Sequence, residues 1–212
     1  MIDSITSITP YVYVGGELAA RTLSNIYSND IRCIINVARE IPHVQYPPHI
    51  ESIKINIDDM STYYIKKYFD KIADKIYQNE IVNKRKTLIH CQAGISRSVT
   101  CIIAYLMKYK NMSLIQAYNY VKYKRQAAKP NQGFWKQLQK YENELAQIND
   151  KKKAEKLETI IHIVRRNLHK LLHIHDEYPH KTPKILNGSI RPMIHRSTRQ
   201  RIRPFYNRVY HV

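Results

Sequence analysis

Cysteine is scarce in this chain. There are three in 212 residues, an odd number, so a closed disulfide framework is not expected and a reducing compartment, cytoplasmic or nuclear, fits better. Long apolar runs are missing as well. No stretch approaches 18 uncharged apolar residues, which excludes a helical membrane span. The opening Met1-Ile2-Asp3-Ser4 lacks a basic segment followed by an apolar one, so secretion is not expected. Acidic residues are few, 17 Asp and Glu against 35 Lys and Arg, for a formal net charge of +18.

That charge is unevenly spread. Residues 151–212 hold 15 Lys and Arg against 4 Asp and Glu, and seven of the ten His. A basic extension of this kind points to an acidic partner or nucleic acid, with a merely solubilising role as the plain alternative. Apolar residues make up 43% of the chain, enough for the core of one domain of ordinary size. Usage rich in Ile, Lys, Asn and Tyr hints at an AT-rich genome, such as that of a large DNA virus or a protist.

Periodicity divides the first 149 residues into alternating strands and helices. Ile8-Thr9 and Tyr11–Val14, broken by Pro10 and closed by Gly15-Gly16, predict a short strand pair. Glu17–Ser24 predicts one short helix. The continuous apolar run Ile31–Val37 reads as a strand buried on both faces, and Ile50–Ile55 as another strand. The turn Asn56–Met60 is expected to open a helix bearing Ile65, Phe69, Ile72 and Ile76, with Asp58 as a helix-capping residue. The apolar run Thr87–Ile89 reads as a further strand. Helices are expected over Ser98–Tyr109, over Ser113–Lys124 with Ser113 as N-cap, and over Gln132–Ile148. This order predicts an α/β fold, a mostly parallel central sheet flanked by helices.

Beyond Asp150 the character changes. Residues 150–177 read as a separate basic helix with an apolar stripe, Leu157, Ile161, Val164, Leu168 and Leu171, expected to pack on the domain or on another copy of the chain. Residues 178–212, with four Pro and many Arg, read as a mobile tail. His169, His173 and His175 lack a Cys or carboxylate frame and are read as part of a solvated basic helix, so no metal site is expected.

The chemistry concentrates in Ile89-His90-Cys91-Gln92-Ala93-Gly94-Ile95-Ser96-Arg97-Ser98. A strand leads to a Cys, a tight loop follows, and an Arg opens a helix. A loop entering a helix N-terminus aims backbone N–H groups and the positive end of the helix dipole at one spot, which suits a phosphate dianion. A thiol at such a lip is favoured as the nucleophilic thiolate. The planar fork of Arg97 suits two phosphate oxygens. The other cysteines, Cys33 and Cys101, fall in apolar segments and are read as core, with a redox partnership to Cys91 as the weaker reading.

This stretch strongly resembles the signature of the dual-specificity protein phosphatases, a branch of the cysteine-based protein tyrosine phosphatases, and within it the mitogen-activated protein kinase phosphatases. The likeness continues through Ala104–Met107, Pro130-Asn131, Phe134, Gln137-Leu138 and Glu142. It also covers Ile8–Gly15 and Ile35–Val37, and so spans about residues 5–147. It implies the cysteine-phosphatase fold, no cofactor, and a two-step reaction through a phosphocysteine on Cys91. Arg97 and the loop N–H groups of Gln92, Ala93, Gly94, Ile95 and Ser96 hold the phosphoryl oxygens. Asp59, favoured over Asp58, is the general acid, Ser98 assists the departing sulfur, and His90 organises the loop and supports the thiolate. Asn131 is read as structural, steadying the loop through its amide.

The uncharged loop residues Gln92, Ala93, Ile95 and Ser96 point to phosphotyrosine and phosphoserine or phosphothreonine on proteins, kinases among them, rather than to phosphoinositides. Because the likeness begins within about five residues of Met1, a small stand-alone phosphatase is expected. Two alternatives stay open: a phosphatase acting on RNA 5′ ends through the basic tail, and a non-catalytic phospho-binding scaffold. The oligomeric state is not legible.

Overall fold

β-Branched residues and aromatics dominate the runs that become strands. The computed structural model describes residues 4–174, with side chains to 171. Five strands form one sheet, β1 (Thr6–Thr9), β2 (Val12–Gly15), β3 (Ile31–Asn36), β4 (Glu51–Lys54) and β5 (Lys86–His90), in the order β1-β2-β5-β3-β4. β1 and β2 are an antiparallel pair, while β2–β5, β5–β3 and β3–β4 are parallel. The mostly parallel sheet is therefore as expected.

β5 lies in the middle of the sheet. Its Leu88 and Ile89 are fully buried, and its last residue, His90, is in register with Gly15 of β2 and Asn36 of β3. Three parallel strands thus end together, and the chain leaves the sheet at Cys91 from between two neighbours. A loop at this point opens where parallel sheets place their ligand sites.

The helices are α1 (Glu17–Arg21), α2 (Leu23–Ser28), α3 (Phe69–Ile81), α4 (Arg97–Lys110), α5 (Leu114–Lys124) and α6 (Gln132–Ile174). α4 is buried on every side from Arg97 to Met107, as a helix apolar all round must be. It carries Cys101, and β3 carries Cys33, both in the core as expected. α5 begins with the predicted cap. Ser113 Oγ accepts from the Gln116 N–H, and the Gln116 side chain accepts from the Ser113 N–H, a reciprocal capping box.

Three expectations are corrected. The single helix over Glu17–Ser24 is two, because Thr22 takes an extended backbone (φ −83°, ψ 101°) between them. Asp58 caps no helix. A 3-10 turn at Lys66–Tyr68 starts the helical segment, and the residues before it form a loop pinned by Tyr63 Oη, which donates to the Asn56 carbonyl at 2.6 Å. The helix expected to stop near Ile148 runs on to Ile174. Asn149-Asp150-Lys151 contains neither Pro nor Gly, so nothing there ends it.

By its contacts the chain divides into two units, residues up to His162 and residues from Ile163. Leu157 and Ile161 in the first, and Val164, Leu168 and Leu171 in the second, are all exposed, so the stripe expected to pack is uncovered by described residues. The tail from residue 178 and His175 lie outside the described residues. Among the described residues, no helix is long and apolar enough to cross a membrane.

Candidate active site

The loop from Cys91 to Ser96 owes its shape to where its carbonyls go. Gln92 O accepts from the Glu17 N–H (2.9 Å), Ala93 O from Arg125 Nη2 (3.1 Å), Gly94 O from Arg125 Nε (2.7 Å) and Ile95 O from the Lys129 N–H (2.9 Å). Four successive carbonyls are thus drawn outward, to α1, to the C-cap of α5 and to the segment before α6. In a trans peptide the N–H of the next residue points the opposite way. The N–H groups of Ala93, Gly94, Ile95 and Ser96 are accordingly turned inward, toward the start of α4. Inward-facing amides over a helix N-terminus make an anion cradle.

Gly94 is required by this path. Its φ is +66°, and a Cβ there would come within 2.5 Å of the Gly15 carbonyl oxygen.

Cys91 sits at the mouth of β5 and is 2% exposed. Its Sγ lies 3.3 Å from Ser98 Oγ in the first turn of α4, so the predicted pair is brought together. Arg97, 4% exposed, brings its guanidinium to the same end of the helix. Its Nη1 donates to Glu40 Oε2 at 2.6 Å and to the Ile57 carbonyl at 3.0 Å, and its Nη2 donates to Glu40 Oε1 at 2.5 Å. The hydrogen bonds from Arg97 hold the Glu40 carboxyl below the usual carboxylate range. The buried Nε has no hydrogen-bond partner among the described residues, with Asp59 Oδ2 3.5 Å away.

The two neighbouring carboxylates separate cleanly. Asp58 turns outward to Arg39, at 2.7 Å. Asp59 turns inward, where its Oδ1 accepts from Ser96 Oγ and from Asn131 Nδ2, both at 2.8 Å. One oxygen of Asp59 is thereby tied to the scaffold and the other, Oδ2, faces Arg97. Asn131 does steady this region through its amide. Ser96, expected to serve the cradle through its N–H, also binds Asp59 through its hydroxyl.

His90 sits at the end of β5, just before the thiol. Burial pushes its imidazole down to about 4, so it is neutral near pH 7 and supplies no positive charge to a thiolate. Its Nδ1 has no hydrogen-bond partner among the described residues. It shapes the loop through its backbone, its carbonyl accepting from the Val37 N–H at 2.9 Å.

Sequence reasoning missed Glu40, Arg125 and Gly133. Glu40 and Arg125 reach the site from distant segments, with no local pattern to mark them. Gly133 opens α6 against the Asp59 loop, where a Cβ would come within 1.7 Å of the Ser61 carbonyl oxygen. A glycine just inside a helix start, where it weakens the helix, was the available signal.

A thiol, a row of inward-turned amides, an arginine and a carboxylate therefore converge on one mouth. This set can transfer a phosphoryl group. Comparison with known proteins agrees. The catalytic domain of dual specificity phosphatases matches residues 12–144. Dual specificity protein phosphatase 14 of Mus musculus is 42% identical over 146 residues, 68% of this chain and 72% of that protein. Dual specificity protein phosphatase 18 of Mus musculus is 37% identical over 144 residues, 68% of this chain and 76% of that protein. Among solved structures, a mouse putative dual specificity phosphatase complexed with zinc tungstate aligns with a TM-score of 0.64 at 28% identity, covering 69% of this chain and 91% of its own. The chain belongs to the dual specificity phosphatases of the cysteine-based tyrosine phosphatase superfamily, enzymes that hydrolyse phosphate esters on proteins.

Proposed function

We propose that Cys91 is the nucleophile, Arg97 and the loop amides the phosphoryl clamp, Asp59 the general acid and base, and Ser98 the residue that assists the sulfur. The single observation that carries this reading is the outward draw on the carbonyls of residues 92–95, which leaves the amides of the loop that follows Cys91 turned inward. In the first step Sγ attacks phosphorus, the S–P bond forms and the P–O bond to the substrate breaks. The leaving oxygen takes a proton from Asp59 Oδ2, the oxygen not tied to Ser96 and Asn131. In the second step water attacks phosphorus, Asp59 takes its proton, and the S–P bond breaks. The Ser98 hydroxyl, 3.3 Å from Sγ, hydrogen-bonds the sulfur as it leaves with the electron pair. The cradle and Arg97 stabilise the equatorial oxygens through both steps, a matter of positioning and electrostatics.

Proteins carrying phosphotyrosine and phosphoserine or phosphothreonine, kinases among them, are the proposed substrates. The uncharged side chains at Gln92, Ala93, Ile95 and Ser96 support this, since a substrate with further phosphates would call for cations there. The basic segment from residue 151 is proposed to meet an acidic surface on a partner protein or nucleic acid. Cys33, Cys91 and Cys101 are all unpaired, which supports a reducing compartment, cytoplasm or nucleus. A non-catalytic scaffold is disfavoured because Cys91, Arg97 and Asp59 are all present.

The test is a phosphopeptide assay. Wild type is expected to release phosphate from phosphotyrosine and phosphothreonine peptides. Cys91→Ser is expected to be inert yet bind them, and Asp59→Asn to lose about 100-fold in kcat. Binding by wild type without turnover would overturn the assignment.

A further inference from the structure

α6 starts on the catalytic domain, where its Phe134, Leu138 and Tyr141 are buried. The family match ends at residue 144, and from Ala146 to Leu171 every residue is exposed. Most helical stability in proteins comes from packing an apolar face, and a helix without it is marginal in water. Among the described residues nothing packs on this part of α6.

The sequence here supplies an apolar face of a particular kind. Ala154, Leu157, Ile161, Val164, Leu168 and Leu171 follow one another at intervals of 3, 4, 3, 4 and 3 residues. That is a strict seven-residue repeat, with Ala154, Ile161 and Leu168 at one core position and Leu157, Val164 and Leu171 at the other. It is the pattern of a left-handed coiled coil, in which each core side chain enters a hole on a facing helix. A helix that lies on a globular domain shows a wider stripe with a period of 3.6. In the unit that ends at His162, Leu157 is 58% and Ile161 41% exposed. In the unit from Ile163, Val164, Leu168 and Leu171 are 50%, 52% and 63% exposed.

The charges are arranged to allow a second copy. The segment is basic, yet Lys156, Arg166 and Lys170 fall at positions of the repeat remote from the core. The residues that flank the core are Lys153, Glu158, Ile160, Arg165 and Asn167, among which Glu158 is the one acid. In a parallel pair of helices Glu158 faces Lys153 of the second copy; in an antiparallel pair it faces Arg165. Either direction brings opposite charges together across the core and sets no like charges against each other. An anionic membrane surface is the competing cover for a basic amphipathic helix. Residues 142–174 contain no Trp, Tyr or Phe to sit at such an interface.

We propose that the chain self-associates through residues 154–171, two copies of this part of α6 forming a two-stranded coiled coil. The catalytic domain supplies the helix nucleus, since α6 is already packed on it at Phe134, Leu138 and Tyr141. A short repeat therefore suffices, because pairing does not have to meet the cost of starting the helix.

The test is sedimentation equilibrium of the full chain over a range of micromolar concentrations. Wild type is expected to show twice the mass of the chain, falling to the single mass on dilution. Ile161→Glu combined with Leu168→Glu places two charges in the core and is expected to raise the dissociation constant at least about 100-fold. Arg166→Glu makes the same change in net charge away from the core and is expected to stay within about 3-fold of wild type. All these positions are exposed, and the urea unfolding midpoint of each variant checks that the domain is intact. A wild-type chain that stays monomeric throughout overturns the proposal, as does an assembly that the double variant leaves whole. Equal weakening by Arg166→Glu also overturns it, since charge rather than the repeat would then govern association. So does binding to phosphatidylserine vesicles by a chain that does not self-associate, which would assign the stripe to a membrane surface.

Discussion

Asn131 Nδ2 donates to Asp59 Oδ1 at 2.8 Å, joining the start of α6 to a loop 72 residues earlier in the chain. The same residue uses every polar group it has near the site. Its backbone N–H donates to Ser96 Oγ at 3.2 Å, and its Oδ1 accepts from the Phe134 N–H at 2.9 Å, capping α6. Ser96 in turn donates to the same oxygen of Asp59. The carboxylate is thus oriented by two donors that are themselves fixed, one by the phosphate loop and one by a helix cap.

Removing that orientation should hurt most where a proton is needed most. Asn131→Ala is expected to lower kcat about 10-fold on a phosphothreonine peptide, whose alkoxide leaving group must be protonated. On p-nitrophenyl phosphate, whose phenolate leaves without help, the loss should stay under about 3-fold. The measurement is the ratio of the two kcat values in mutant and wild type. Equal losses on both substrates would mean that Asn131 supports the cradle as a whole rather than the acid.

The parts of this site that were legible in the sequence are those contiguous along the chain. Cys91, Gly94, Arg97 and Ser98 fall within eight residues, and a strand before them and a helix after them fix their relation. The pair Asp58-Asp59 was visible after a strand, but the choice of Asp59 rested on the family resemblance. Glu40 and Arg125 were not visible, since each acts through side-chain bonds to segments 57 and 31 to 32 residues away that no periodicity encodes. The sheet was legible for the same reason as the loop: buried parallel strands must be apolar throughout. The length of α6 was misjudged because a change in composition at Asp150 was taken for an end, while helices end where caps, Gly or Pro end them. The neutrality of His90 comes from burial among three parallel strands, a property of the fold that the residue type alone does not carry.

Arg125 offers a second prediction. It is 4% exposed, and it serves carbonyls that nothing else reaches among the described bonds: Gly94 O through Nε and Ala93 O through Nη2, with Thr6 Oγ1 taken by Nη1 at 2.9 Å. Arg125→Ala leaves the buried Gly94 carbonyl, and the part-buried Ala93 carbonyl and Thr6 hydroxyl, without this donor, a destabilisation of about 1–3 kcal/mol. The midpoint of urea unfolding should fall accordingly, and KM for phosphopeptides should rise as the Ala93 and Gly94 peptides lose the pull that turns their neighbours' amides inward. Arg125→Lys, a point donor in place of a fork, should recover less than half of the stability. An unfolding midpoint unchanged in Arg125→Ala would show that the loop keeps its path without this side chain.

The buried His90 makes the fold itself sensitive to mild acid. Desolvation pushes its folded value down to about 4, against an ordinary value of 6.5 in the unfolded chain. The unfolded state therefore binds a proton that the folded state refuses between these limits. The sign follows: the contribution is full above about pH 6.5, is lost progressively as the pH falls toward 4, and amounts to roughly 3 kcal/mol in all. His90→Gln cannot titrate, so carboxylates common to both proteins cancel in the comparison. Urea unfolding midpoints of wild type and His90→Gln at pH 7.5, 6.0 and 5.0 should show wild type losing the larger share of its stability on acidification. Parallel curves for the two proteins would mean that the imidazole is protonated in the folded state without penalty, and the neutral His90 assigned to this site would have to be abandoned.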